Sequence, residues 1–251
     1  MVINVGNTTT SCAVVQGERL SGVSRIPTSN LLSDGLAASL ERLCRERPCL
    51  VASVVPEAAE AFTAVRDSDV RFLTADMLRT VDCSLVDTRT VGADRLANLA
   101  AVARLRLAPA IVLDCGTAIT TEIVDADYRF LGGAILPGRQ LSRRALHEFT
   151  AQLPDVAVQD EKPSPAGVNT REAILAGVDI GTLGAVRELI AASQAVLGCS
   201  TAHIVAVGGD APYFTKCLPD VEPAPCDFSL HGLAAIARTL FDPTQHAAPG
   251  R

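Results

Sequence analysis

Two short segments of this 251-residue chain, 110 positions apart, have the same sequence design. The first spans residues 2–10 and the second residues 111–120. In each, an apolar run typical of a buried strand leads to an amide or acid (Asn4 or Asp114), one further residue, a glycine, a small polar residue and a second strand. A lone turn of this kind is usually only a hairpin. Because glycine lets backbone N–H groups approach an anion closely, two matched turns predict a duplicated chain that binds a polyphosphate.

Composition narrows the classes of protein to consider. The net charge of −6 argues against nucleic acid or an acidic membrane as the main partner, so an anionic substrate would need a local arginine. None of the eight cysteines forms a pair with the two-residue spacing of zinc or redox motifs, and most are interpreted as small buried side chains. No apolar run approaches the ~20 residues of a membrane span, and no signal peptide precedes the first strand. A cytoplasmic protein with reduced thiols is expected.

The apolar periodicity predicts an α/β architecture in which each half begins with three strands and continues with helices. We expect an N-terminal half at residues 1–91 and a C-terminal half at 92–251. The main predicted helices are 31–45, with Leu36 on its apolar face, 58–65, 93–106, 138–149, 170–197 with a break near Gly181–Gly184, and 230–240. The main predicted strands are 20–26, 49–55, 70–73, 130–136 and 201–207, and residues 154–169 are predicted to be a long loop.

A third cluster, Gly92-Ala93-Asp94-Arg95, stands where a helix is predicted to begin. A first-turn aspartate is commonly an ordinary capping residue. An adjacent acid and arginine also suit a substrate site, because arginine can hold a carboxylate by paired hydrogen bonds while aspartate accepts a proton from a hydroxyl. Both interpretations remain open at this point.

Three further glycine-containing segments complete the pattern. The glycines of residues 130–138 permit close backbone approach, and Gly208-Gly209 ends a strand that could pass beside an adenine ring. Asn169 or Thr170 is expected to cap the long helix. No Gly-x-x-x-x-Gly-Lys-Ser/Thr or Gly-x-Gly-x-x-Gly phosphate loop occurs in the chain.

Taken in order, these segments resemble the type III pantothenate kinase family over residues 1 to about 240. The most specific part is the pair of motifs Gly-x-Asp-Arg and Asp-x-Gly-Thr-Ala, in which Asp94 and Asp114 are twenty positions apart. The resemblance implies the acetate-kinase, sugar-kinase, Hsp70 and actin superfamily. It implies duplicated actin-like (ribonuclease H-like) domains with mixed sheets and a nucleotide cleft between them. It also implies ATP-dependent phosphorylation of pantothenate to 4'-phosphopantothenate, the first step of coenzyme A biosynthesis, by a homodimer that uses Mg²⁺ and a monovalent cation, potassium or ammonium.

The resemblance also implies roles for individual residues. Asp94 is similar to the catalytic base, and Asp114 to the ligand of the monovalent cation. Thr117 resembles an ATP contact. The turn Asn4, Val5, Gly6, Asn7, Thr8, Thr9 and Thr10 resembles the first phosphate loop, and the residues similar to pantothenate contacts are Gly92, Ala93, Asp94, Arg95 and Thr170.

Two positions depart from the family's pattern, because Asn4 stands where the first loop normally begins with aspartate, and Leu85 where a tyrosine is usual. Asparagine keeps an oxygen acceptor but lacks the charge that helps hold a magnesium-bound phosphate. These departures motivate a second hypothesis, a catalytically impaired relative that binds nucleotide or substrate and acts through a protein partner. A third is a kinase or phosphatase of the same fold with another small hydroxy substrate.

Overall fold

The computed structural model describes residues 1–33 and 38–241. These residues form two compact units, each with its own sheet. Unit 1 contains residues 1–107 and the segment from Cys226 onward, and unit 2 is Ala108–Pro225. These borders differ from the boundary between residues 91 and 92 that the sequence suggested. That boundary stays a prediction.

Unit 1 is built on a five-stranded mixed sheet in the order β3-β2-β1-β4-β5. The strands are β1 (Val2–Val5), β2 (Thr9–Gln16), β3 (Arg19–Pro27), β4 (Cys49–Ser53) and β5 (Val70–Phe72). Strands β1 to β3 form an antiparallel meander, whereas β4 and β5 run parallel to β1. Since β1 and β4 are buried along nearly their whole length, their sequences read as continuous apolar runs.

Five helices belong to unit 1: α1 (Thr28–Ser33), α2 (Ala38–Glu46), α3 (Pro56–Thr63), α4 (Ala93–Leu105) and α9 (Phe228–Leu240). Two short 3₁₀ turns, Ala75–Met77 and Thr88–Thr90, lie between β5 and α4. Helix α3 begins at Pro56, because proline fits the first turn of a helix. The predicted helix over 31–45 is two helices, and Leu36 lies outside the described residues.

Helices α4 and α9 pack against each other at very short range. A Cβ built at Gly232 would overlap the Ala97 carbonyl oxygen and lie 2.5 Å from the Ala101 nitrogen. The buried side chain of Asn98 accepts a 2.6 Å hydrogen bond from the Ser229 hydroxyl in the same interface. Backbone contact and a buried hydrogen bond therefore fix the position of α4, the helix that carries Asp94.

The sheet of unit 2 has the same topology as that of unit 1. Its strands lie in the order β11-β10-β6-β7-β8, and β9 also pairs with β7. The strands are β6 (Ala110–Cys115), β7 (Ala118–Val124), β8 (Phe130–Gly132), β9 (Ile135–Pro137), β10 (His203–Val207) and β11 (Glu222–Pro223). Strand β7 is antiparallel to β6. Strand β10 pairs in parallel with β6, and β11 pairs in parallel with β10. The predicted single strand over 130–136 was wrong, because the chain leaves the ladder between Gly132 and Ile135 and forms two short strands.

The helices of unit 2 are α5 (Arg139–Glu148), α6 (Thr170–Leu175), α7 (Gly181–Leu197) and α8 (Ala211–Cys217). The predicted break in the long helix is confirmed as a π-helical turn, Ala176–Ile180, that ends where Gly181 begins α7. Helix α8 and strand β11 were not predicted. The core of this unit includes alternate residues of β6 and β10 packed against α7 and α8.

The repeated strand order confirms the duplicated α/β fold with two mixed sheets. Asn4 and Asp114 occupy equivalent places, since each is the penultimate residue of the first strand of its meander. In the two described ranges, no helix has the length and apolar character required to cross a membrane. All eight cysteines are free thiols.

Candidate functional site

The first turn connects β1 to β2 and is closed by a 3.0 Å hydrogen bond from the Gly6 N–H to the Thr9 carbonyl. A Cβ at Gly6 would lie 3.2 Å from that carbonyl oxygen, so glycine allows the tight approach. Asn7, Thr8 and Thr9 are exposed at the tip, whereas Val5 and Thr10 are buried. The tip therefore offers an amide and two hydroxyls to a ligand.

Thr28, the first residue of α1, stabilises this turn through hydrogen bonds. Its hydroxyl donates to the Gly6 carbonyl at 2.7 Å and lies 3.1 Å from the Thr10 hydroxyl. Its N–H donates to the Thr8 carbonyl at 2.9 Å. The Thr10 side chain is only 1% exposed, so its hydroxyl stabilises the turn from within. Sequence reasoning missed Thr28, because this residue lies 22 positions after Gly6 in a segment without a recognisable motif.

Asn4 is unusual because its side-chain oxygen, in a buried strand, lacks a hydrogen-bond donor among the residues that the structure describes. Its Oδ1 is buried and has no hydrogen-bond partner within residues 1–33 and 38–241. A buried oxygen without a donor is costly, and such atoms in native proteins commonly face a water, an ion or a ligand. The oxygen expected from the sequence is therefore present and available.

The Gly92-Ala93-Asp94-Arg95 segment forms the N-terminus of α4, as predicted. Gly92 is the N-cap residue, and the Asp94 carboxylate accepts a 2.7 Å hydrogen bond from the Arg95 N–H. A Cβ at Gly92 would lie only 2.7 Å from Asp94 Oδ1. Glycine at position 92 thus leaves the space that the carboxylate occupies, which gives the Gly-x-Asp spacing a physical reason.

Burial raises the pKa of Asp94 above its ordinary value. The Arg95 N–H and the Arg95 guanidinium charge oppose this shift, because both stabilise the carboxylate. A carboxylate with a raised pKa is a stronger base, which suits a group that accepts a proton from a hydroxyl.

Within unit 1, Asp94 and the first turn lie at the same edge of the sheet. Strands β1 and β4 are parallel and end together. Val54, directly after β4, donates its N–H to the Val5 carbonyl at 3.1 Å, and its side chain lies 3.4 Å from the Cβ position of Gly92. Ligands of α/β sheets bind at this carboxyl edge. Residues 4–9 and 92–95, predicted from separate motifs, therefore belong to one surface region.

The second turn, Asp114–Thr117, lies at the carboxyl edge of the unit 2 sheet, with Gly116 and Thr117 exposed. A 3.0 Å hydrogen bond from the Gly116 N–H to the Ala118 carbonyl closes it, as in the first turn. Gly208 adopts φ +97°, and a Cβ there would lie 2.8 Å from Asp114 Oδ1. The Gly208 backbone therefore lies directly against the Asp114 carboxylate, an approach that a side chain at this position would prevent.

A buried ionic cluster near this turn was missed by sequence reasoning. Arg139 and Arg143 on α5 are 0% and 1% exposed and form ion pairs with the buried Asp179. Arg139 also lies 3.3 Å from Asp210 and stacks over the Tyr213 ring at 3.5 Å. The spacing i, i+4 of the two arginines placed them on one helix face, but nothing indicated that this face is buried.

Burial controls the titration of this ionic cluster. It raises the pKa of Asp179 and Asp210 and lowers that of Arg143, while the neighbouring opposite charges resist these shifts. Burial also raises the pKa of Tyr213 to about 12. The charged forms of Asp179, Asp210 and Arg143 therefore depend on one another.

Asn169 caps α6, as the sequence indicated for one of the two candidates. Its Oδ1 accepts from the Glu172 N–H at 3.0 Å, and its amide donates to the Glu172 carboxylate at 2.7 Å. Thr170 is exposed and lines an apolar groove of about 800 Å³ between α5, α6 and α7. The groove also includes Leu136 and Pro137, the residues that precede Gly138.

Both sheets thus present a glycine turn at their carboxyl edge, and one of them adds a basic carboxylate at a helix N-terminus. The repeated strand order and these turns define a duplicated, actin-like α/β fold. Two structural comparisons agree with the fold. A Campylobacter jejuni protein assigned to the Baf family of transcriptional activators has a TM-score of 0.62, with 16% identity over 95% of this chain and 98% of that one. The activator of the 2-hydroxyisocaproyl-CoA dehydratase from Clostridium difficile has a TM-score of 0.50, with 14% identity over 97% and 94%.

Sequence comparison gives the family. The type III pantothenate kinase family model matches residues 1–192. Type III pantothenate kinases from Rubrobacter xylanophilus and Hyphomonas neptunium are 33% and 34% identical to this chain, over 94% of it in each case and 96% and 97% of their own lengths. The chain belongs to the type III pantothenate kinase family, and the resemblance stated from its motifs is confirmed.

Proposed function

We propose that this protein phosphorylates pantothenate with ATP to give 4'-phosphopantothenate, the first step of coenzyme A biosynthesis. Membership of the family supports the reaction. The observation that carries the assignment of the base is the Asp94 carboxylate at the N-terminus of α4, with a pKa raised by burial and an arginine next to it.

In the proposed mechanism, Arg95 binds the pantothenate carboxylate, and Gly92, Ala93 and Thr170 complete the contacts with this substrate. Asp94 accepts the proton of the terminal hydroxyl as that oxygen attacks the γ-phosphorus of ATP in line with the leaving oxygen. The proton moves to an Asp94 carboxylate oxygen, and ADP leaves. The raised pKa of Asp94 favours this acceptance.

The two turns are proposed to bind the phosphates. Backbone N–H groups and hydroxyls at the tip of the first turn (residues 4–10) and at Thr117 stabilise charge that spreads over the phosphate oxygens. Phosphoryl transfer depends mainly on positioning and electrostatics, so these preformed turns contribute directly to the rate.

The residues present fit the cations that the family implies. Mg²⁺ takes oxygen ligands and keeps several waters, and the buried Oδ1 of Asn4 is an oxygen without a donor that a metal-bound water could satisfy. The Asp114 carboxylate, at the carboxyl edge of the unit 2 sheet, would supply an oxygen ligand to the monovalent cation, potassium or ammonium. When bound, these ions neutralise negative charge on the phosphates.

A homodimer is proposed with the apolar groove as its face. The groove is lined almost wholly by apolar and small residues, and Ile135 nearby in sequence is 66% exposed. An exposed apolar surface of this kind marks an interaction site. Sedimentation velocity should show a dimer for the native chain and a monomer for Ala185→Glu, which places a charge on an exposed position in the groove; a monomeric native chain at micromolar concentration would refute the proposal.

The test of the reaction is transfer of labelled γ-phosphate from ATP to pantothenate, with and without potassium. We expect transfer in the native protein and loss in Asp94→Asn, with nucleotide binding retained. Binding of ATP without transfer, at high magnesium and potassium, would instead favour the impaired relative that Asn4 suggests. Transfer to another small hydroxy compound in a substrate panel would indicate a different acceptor.

A further inference from the structure

The turn Asp114–Thr117 is held between two backbone segments of unit 2. From one side, the Gly138 N–H donates to the Thr117 carbonyl at 2.9 Å. From the other side, the Asp210 N–H donates to the Cys115 carbonyl, also at 2.9 Å. The turn is therefore fixed by one hydrogen bond from each neighbour.

Neither segment has room to move closer to the turn. A Cβ built at Gly138 would lie 2.6 Å from the Thr117 carbonyl oxygen, and one at Gly208 would lie 2.5 Å from the Cys115 carbonyl oxygen. Because real Cβ atoms almost never approach so closely, both segments already touch the turn through their backbones. Any displacement of either segment must displace the turn or break its hydrogen bond.

An ion pair joins the two segments to each other. Arg139 directly follows Gly138, and its Nε lies 3.3 Å from Oδ2 of Asp210, the residue that donates to Cys115. Arg139 is fully buried, and the Asp210 side chain is 24% exposed. The guanidinium is further oriented by the Tyr213 ring, 3.5 Å from its carbon, and by hydrogen bonds of 3.1 and 2.6 Å to the Gln159 carbonyl. The turn is therefore hydrogen-bonded to the segments at Gly138 and Asp210, and the Arg139–Asp210 ion pair connects these two segments to each other.

We propose that Arg139 and Asp210 are a positioning pair for the Asp114–Thr117 turn, and that they set the affinity of the protein for ATP and for the monovalent cation. Neither residue contacts the reacting atoms in this proposal, which rests on the assignment of the turn in the proposed function. Charge-assisted contacts that orient ligand-bearing groups typically change affinity by about 10–100-fold when removed.

The cluster supplies its own control. Arg143 forms an ion pair with Asp179, and neither residue contacts the turn or its two neighbours through a hydrogen bond to their backbone among the residues described. Arg143→Met removes the more deeply buried Arg143–Asp179 pair and leaves Asp179 with Arg139 as an ion-pair partner at 3.3 Å, while both members of the Arg139–Asp210 pair are kept. A purely structural role for the cluster would make the two perturbations equivalent.

The experiment compares Asp210→Asn, Arg139→Lys and Arg143→Met with the native protein. Asp210→Asn is nearly isosteric and partly exposed, so it is expected to fold. We expect it to raise the ATP dissociation constant, measured by calorimetry, and the half-saturating potassium concentration by about tenfold. The KM for pantothenate should change by less than twofold. Arg139→Lys, which keeps the charge, should fall between the native protein and Asp210→Asn, and Arg143→Met should lower the melting temperature with ATP affinity within twofold of native.

Hydrogen–deuterium exchange of the peptide that covers residues 113–119 separates this proposal from the proposed function. Faster exchange of these amides in Asp210→Asn, but not in Arg143→Met, supports the positioning role even if the native protein fails to phosphorylate pantothenate. The proposal is refuted by unchanged exchange, by an ATP dissociation constant within twofold of native in Asp210→Asn, or by equal effects of Asp210→Asn and Arg143→Met.

Discussion

Replacing Gly92 by alanine tests whether the geometry around Asp94 controls turnover. The added Cβ would lie 2.7 Å from Asp94 Oδ1, whereas ordinary contacts begin near 3.4 Å. The carboxylate must therefore move by about 0.7 Å, or the first turn of α4 must shift. The second close neighbour, the Val54 side chain at 3.4 Å, needs little adjustment.

Gly92→Ala should affect turnover far more than stability. A misplacement of about 1 Å can reduce a rate about a hundredfold, so we expect kcat to fall by about ten- to a hundredfold. The stability cost is small, because Gly92 has φ −59°, which alanine adopts freely. Replacing an N-cap glycine by alanine costs about 0.5–1 kcal/mol, which corresponds to a fall of about 1–4 °C in Tm.

The assay is steady-state phosphoryl transfer together with thermal unfolding. Gly184→Ala is the matched control, since this exposed glycine of α7 has nothing within 4 Å of its Cβ position. It should leave kcat unchanged and stabilise the protein by about 0.4–1 kcal/mol. On an Asp94→Asn background, Gly92→Ala should cause no further loss. Native kcat in Gly92→Ala, or an additive loss in the double variant, would refute the reasoning.

Three other predictions follow from the same contacts. Asp94→Asn should cut turnover by about 10²–10⁴-fold. It should also raise Tm at neutral pH, because a carboxyl group whose folded pKa is raised contributes stability only when protonated, and the gain should vanish as pH falls below the ordinary aspartate range. Asn4→Asp should lower Tm without magnesium, because it buries a charge where no donor is present among the described residues. Addition of Mg²⁺ with ATP should restore Tm. A Tm of this variant that does not depend on magnesium would contradict the prediction. Gly232→Ala should destabilise the protein by at least about 1–3 kcal/mol in denaturant titrations, since its Cβ would overlap α4 backbone, and an unchanged midpoint would refute that packing.

The parts of the fold that the sequence predicted are those set by local rules. The two turns required glycine next to an amide or acid, and α4 required a break at Gly92 followed by apolar periodicity. The π-helical turn before Gly181 was also visible as a cluster of glycines in a long helical pattern. In each case, the information lies within a few neighbouring residues.

The parts that were missed depend on contacts between distant segments. Arg139 has an ordinary sequence environment, and its burial results from Asp179 and Asp210, forty and seventy-one positions away. Arginines on a helix face are usually solvated, so no local pattern predicts that this one is enclosed. The same holds for Thr28, whose hydroxyl holds the first turn across 22 positions.

The two turns share topology but differ in how they are fixed and charged. The first is held by the hydroxyl of Thr28 and carries the uncharged Asn4, while the second carries the acidic Asp114. The difference has a consequence for the proposed base. Asn4 lies at the edge of the unit 1 sheet where Asp94 also lies, and burial already raises the pKa of Asp94. A second carboxylate at that edge would raise this pKa further, because a neighbouring negative charge disfavours ionisation. Asn4 therefore spares Asp94 this further rise in pKa, and the magnesium proposed to bind with ATP would supply the charge that the first turn lacks.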